Sequence, residues 1–124
     1  MTRDMDTIRK ILLQVEGASE PVEKIPDIPA DVFAYHAALL MEAGLVEGDF
    51  AKGPNLLACD AVVFRLTWSG HDFLDAARND TVWRTAQEKI LKPGASWTFD
   101  LLKEMLKALA KQQLARVGLP DFDT

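Results

Sequence analysis

Three prolines fall within nine residues, Pro21, Pro26 and Pro29, in the segment EPVEKIPDIP. Proline fixes φ, has no amide proton to donate, and turns the residue before it away from the α region. A helix cannot run through this segment. It leaves an extended strip, with room for a short edge strand at residues 22–25. The first half of the chain must therefore be helix, strip and helix rather than one long bundle arm.

The apolar periodicity fills in the rest. Met5, Ile8, Ile11, Leu12 and Val15 recur at helical spacing and predict a helix over 4–16, with Asp4 and Asp6 at its positive end and Gly17 at the C-cap. A second helix is expected over 30–43, capped by Asp31 or by the preceding loop and ended by Gly44. Its inward positions are Val32 or Phe33, His36 or Ala37, Leu40 and Ala43. Its outward ones are Asp31, Ala34, Tyr35, Ala38, Met41 and Glu42. Leu45 and Val46 open a strand, and VVFRL at 62–66 is the best strand in the chain. Between them, EGDFAKGPNLLACDA suits a long hairpin loop. Leu56 and Leu57 in that loop are expected to fold back onto the body, the alternative being contact with a partner.

Thr67 can cap a third helix with Phe73, Leu74 and Ala77 inside, and Asp80 a fourth carrying Val82, Trp83, Ala86 and Ile90. KPGAS at 92–96 ends that helix. A fifth helix runs from Ser96 or Thr98 to Val117, with Leu101, Leu102, Met105, Leu106 and Leu109 on one face and Lys103, Lys107 and Lys111 on another. Trp68, Trp83 and Trp97, each near a helix start, are expected to anchor the core.

This order predicts a mainly α fold with a small β-hairpin, a winged helix-turn-helix-like domain with added C-terminal helices. Residues 1–80 would form the winged core, 81–118 a helical extension packed on it, and 119–124 a flexible tail. The strip at 22–29 is too short and too proline-rich for the supporting helix of a helix-turn-helix, so a turn should replace it.

The stretches RDMDTIRKILL, YHAALLMEAGL, LTWSGHDFLDAARNDTVW and SWTFDLLKEMLK, in this order, resemble the bacterial and prophage family known as domain of unknown function 2513. The resemblance runs from Arg3 to Leu114, and GHDFLDAARNDTVW is its most specific part. It implies a mobile-element setting and supplies no catalytic residue.

Charge divides the chain. The net value is −5, with 7 basic and 14 acidic side chains in residues 1–80 against 7 and 5 in residues 81–124. Nucleic-acid affinity comes mostly from Lys and Arg on phosphates, and base reading from Arg, Lys, Asn and Gln. From residue 25 to residue 51 there are five acids and neither Lys nor Arg. Tyr35 and His36 are the remaining candidates on the second helix, with Lys52 and Arg65 on the hairpin. The organised basic row is Lys103, Lys107 and Lys111, with Arg116 nearby. The opposite, leucine-rich face of that helix could pair across a two-fold axis to make a homodimer.

Enzyme chemistry finds little footing. His71, Asp72 and Asp75 form the nearest thing to a reactive cluster. His71 and Asp75, at i and i+4, share a helix face, but a further ligand is lacking and a structural role is expected. Cys59 is the single cysteine and stands beside Asp60, which excludes a thiolate metal site and an internal disulfide. The expectation is a cytoplasmic, non-enzymatic regulatory protein without cofactor, metal or membrane span. It would bind DNA as a dimer or, alternatively, bind a protein through its acidic second helix.

Overall fold

The computed structural model describes residues 1–89 and 98–116, with the backbone alone for residues 113–116. Ile90, Trp97, the KPGAS run and the tail lie outside the described residues. Those described form five helices and one two-stranded antiparallel sheet: α1 (Met5–Gly17), α2 (Ala30–Glu42), β1 (Val46–Lys52), β2 (Ala58–Leu66), α3 (Trp68–Ala77), α4 (Asp80–Lys89) and α5 (Phe99–Arg116). The chain divides into two compact units, Met1–Leu74 and Asp75–Thr124.

In the first unit, Asp4 caps α1 by accepting from the Asp6 amide (3.0 Å) and the Thr7 hydroxyl (3.2 Å). The five apolar residues of the stripe are all buried. Gly17 is not a left-handed C-cap: it is the last helical residue, and Ala18 leaves in extended conformation. The chain enters the proline strip directly, so no reversal is needed. Val22 then bridges Val63 through two 2.9 Å backbone bonds, which realises the short edge strand as a single bridge. A turn at residues 26–28 follows, where a supporting helix is absent.

α2 is more deeply embedded than its sequence suggests. Phe33, Ala34, His36, Ala37, Ala38 and Leu40 are all buried, while Ala43 is exposed. The expected outward placement of Ala34 and Ala38 is therefore corrected. Small side chains let a helix sit close against its neighbours, and here α1 and both strands pack on it. Pro29 precedes α2, and no side chain caps it.

The strands are longer than expected and the loop shorter. Residues 47–52 and 58–61 belong to the ladder, which pairs Val46 with Leu66, Asp49 with Val62 and Ala51 with Asp60. Only residues 53–57 connect the strands. Low intrinsic β-propensity in EGDFAK is overridden by cross-strand pairing, with two register shifts absorbing the mismatch.

The hairpin base is locked to the helices on either side. Gly44 ends α2 with φ +75°, a conformation that strains any residue with a Cβ. The Thr67 hydroxyl donates to the Gly44 carbonyl (2.6 Å) and accepts from the Gly70 amide (3.1 Å), while the Thr67 amide donates to the Leu45 carbonyl (3.0 Å). Thr67 thus caps α3 as its position predicts. A Cβ at Gly70 would stand 2.0 Å from the Leu45 carbonyl oxygen, so only glycine permits this approach. The EAGL and TWSG stretches are two halves of one clasp.

In the second unit, Asn79 rather than Asp80 caps α4, accepting from the amides of Thr81 (2.9 Å) and Val82 (3.0 Å). Asp80 becomes the first helical residue, where a carboxylate suits the dipole. Val82, Trp83 and Ala86 are buried. α5 is capped by the Thr98 hydroxyl and packs along α4, burying Leu102 and Leu106.

Candidate interaction surface

Within the first unit, the side chains singled out by sequence do not gather. Tyr35 is half-buried and meets the His36 ring edge-on, with centroids 5.3 Å apart. His36 is only 1% exposed. Its Nδ1 is 2.8 Å from the Val32 carbonyl, to which it must donate, and its Nε2 accepts from the Asp4 amide at 2.8 Å. Its placement as a surface contact is therefore corrected. It joins the start of α1 to α2, because a neutral imidazole can satisfy one acceptor and one donor at once.

Arg65 is held by Glu47 opposite it in the ladder, Nε to Oε2 at 3.0 Å and Nη2 to Oε1 at 2.8 Å, while Nη1 donates to the Leu66 carbonyl. Its charge is already balanced. Lys52 is exposed at the far end of β1, five residues from Glu47, or roughly 17 Å along a strand. The other candidates belong to the second unit. On α5, Lys103 is half-buried while Lys107 and Lys111 are exposed, and each has a hydrogen-bonding or electrostatic contact. Arg116 is the last helical residue, and its side chain lies outside the described set. Of the leucine-rich face, Leu102 and Leu106 are covered within the chain, and Leu101 is exposed.

Asp75 pairs with Arg78 at 2.7 Å, and His71 is exposed. Among the described residues no cluster of three or more His, Cys, Asp or Glu could hold a metal ion, and no helix is long and apolar enough to cross a membrane.

What sequence reading missed is apolar. Trp68, expected in the core, is 87% exposed, and Phe64 is 51% exposed. Phe50, Leu56 and Leu57 are exposed too, so the expected fold-back of the two leucines does not occur. Leu56 is 76% exposed with φ +66°. The tip turn fixes it there: the Gly53 amide donates to Leu57, the Leu56 amide to Gly53, and the Leu57 amide to Asn55 Oδ1. A β-carbon in the left-handed region costs on the order of 1 kcal/mol. Here that conformation presents a leucine to solvent. Strand alternation was the overlooked signal for Phe64, since Val63 is fully buried and its neighbour must point away. Trp68 gave no such signal.

Comparison with known proteins agrees on one family. The family described as "Hypothetical protein (DUF2513)" matches residues 2–96. A protein of Haemophilus influenzae (strain ATCC 51907 / DSM 11121 / KW20 / Rd), described as "Uncharacterized protein", is 35% identical over 120 residues, which is 93% of this chain and 100% of that one. No solved structure matches. The glycine–threonine clasp and the helices around it thus fall within the matched region, and the chain belongs to the DUF2513 family.

Proposed function

We propose that this chain is a non-enzymatic interaction module of winged-helix kind, whose hairpin and following helix start bind a protein. The helix, bridge strand, helix, hairpin and capped helix of the first unit follow the winged-helix order, with a turn in place of one helix. The observation that carries the functional reading is the exposure of Phe50, Leu56, Leu57, Phe64 and Trp68 on the hairpin and the first residue of α3. Contiguous exposed apolar surface marks contact sites, and five large apolar side chains are exposed along this one hairpin and the helix start that follows it. Aromatic residues are also enriched where proteins meet.

DNA binding by a dimer is the competing reading. It has the lysine row of α5 in its favour. Against it stand an α2 with no Lys or Arg, its small residues buried, and an Arg65 already occupied by Glu47. The protein-binding reading asks nothing of those groups.

Capture on the immobilised full chain tests it. Replacing Phe64→Ser together with Trp68→Ser should abolish recovery of protein from a cell extract. Lys103→Glu, Lys107→Glu and Lys111→Glu together should leave recovery unchanged. The reverse pattern contradicts the proposal.

A further inference from the structure

The hairpin borders an open groove of about 300 Å³, lined by Glu23, Asp49, Phe50, Asp60, Ala61 and Val62 among others. Antiparallel pairing sets Asp49 opposite Val62 and Ala51 opposite Asp60, so Asp49 and Asp60 are diagonal neighbours on one face. Glu23 follows the Val22 bridge on the other side of β2. Three carboxylates therefore come from three adjacent chain segments; Ala51 and Val62 share the face of Asp49 and Asp60, while Phe50 and Ala61 belong to the opposite face. Among the described residues none of the three has an ion pair; Arg65 is engaged by Glu47, and neither Lys24 nor Lys52 pairs with them.

A separate feature lies at the same place. Val63 exchanges both backbone bonds with Val22, and among the described residues the ladder stops there. Ladder alternation turns the amide and carbonyl of Ala61 to that same side, where among the described residues they have no backbone partner. An unpaired strand edge is a template for another extended segment.

We propose that this groove receives an extended basic segment of a partner protein, with Lys or Arg at alternate positions; this names the ligand of the interaction surface above and rests on that reading. An extended guest places side chains i and i+2 roughly 7 Å apart, close to the diagonal spacing of Asp49 and Asp60. The alkyl stems of its lysines lie over Val62 and Ala51, while the ammonium groups reach the carboxylates. A second copy of this groove across a two-fold axis would set carboxylates against carboxylates, and a phosphate backbone would set phosphates against them. Charge selects a cationic guest over both.

The probe is a fluorescein-labelled peptide alternating lysine and threonine, titrated into the ¹⁵N-labelled full chain at low salt. Amide shifts should centre on residues 49–51 and 60–62. Glu23→Gln, Asp49→Asn and Asp60→Asn together should weaken binding roughly tenfold or more, as three exposed charge pairs would. A peptide with glutamate for lysine should produce no shifts in the unaltered protein. Equal affinity for the neutralised groove, shifts centred elsewhere, or no shifts from the lysine peptide overturns the proposal. If the peptide fails while Phe64- and Trp68-dependent capture persists, the groove assignment falls and the interaction reading stands. Loss of both removes both.

Discussion

The first unit carries 6 basic against 12 acidic side chains, whereas the second carries 8 against 7. They also spend their apolar residues differently. In the second, Val82, Trp83, Ala86, Leu102 and Leu106 are buried, and Leu101 is its one exposed large apolar side chain among the described residues. In the first, a complete core coexists with three exposed aromatic rings and two exposed leucines on and beside one hairpin. Exposure there is not a failure to find cover, because the hairpin is clasped at its base by hydrogen bonds and by a glycine contact. A clasped hairpin can thus carry several exposed large apolar side chains together with acidic ones, where the described residues of the second unit expose one large apolar side chain.

The largest expected effect tests the rigidity of that scaffold. Gly70→Val drives a side chain into the Leu45 carbonyl. It should cost about 3 kcal/mol or more, read as a lower urea midpoint, with faster amide exchange in β1 and β2. His36→Ala comes next, at about 2–3 kcal/mol, since it opens a void and leaves the Asp4 amide without its acceptor. Thermal unfolding checks this, and a neutral result would mean that the imidazole does not tie α1 to α2. Thr67→Ala should cost about 1–2 kcal/mol, while Thr67→Ser should keep most of the cap.

The smallest effect is the most discriminating. Leu56→Asn should leave stability unchanged or raise it by about 0.5 kcal/mol, because asparagine tolerates the left-handed region. It should nevertheless reduce protein capture. A loss of stability would mean that Leu56 supports the fold rather than a partner.

Much of the first unit was legible because its signals are local and steric. The prolines excluded a helix, the α1 stripe named its own buried face, and Gly44 and Thr67 marked the ends of α2 and β2. The depth of α2 was not legible. Alanine is compatible with either face of a helix, so Ala34 and Ala38 carried no directional information. Nor was the length of the hairpin, since Glu47, Gly48 and Asp49 are poor strand formers held by their partners. The surface was read least well. Leu56 looked like a residue seeking cover, and only the geometry of its turn shows that cover is denied to it. The acidic groove joins Glu23 to Asp49 and Asp60, a juxtaposition that depends on the Val22 bridge and on ladder register. Neither can be read from spacing alone.

As proposed above, this chain serves protein and repels nucleic acid. Fluorescence anisotropy of a generic labelled duplex at about 50 mM salt puts that claim at greatest risk, because low salt favours phosphate contacts most. Anisotropy should not change up to the highest soluble protein concentration. Saturable binding that weakens as salt rises, and that disappears with Lys103→Glu, Lys107→Glu and Lys111→Glu, would contradict it.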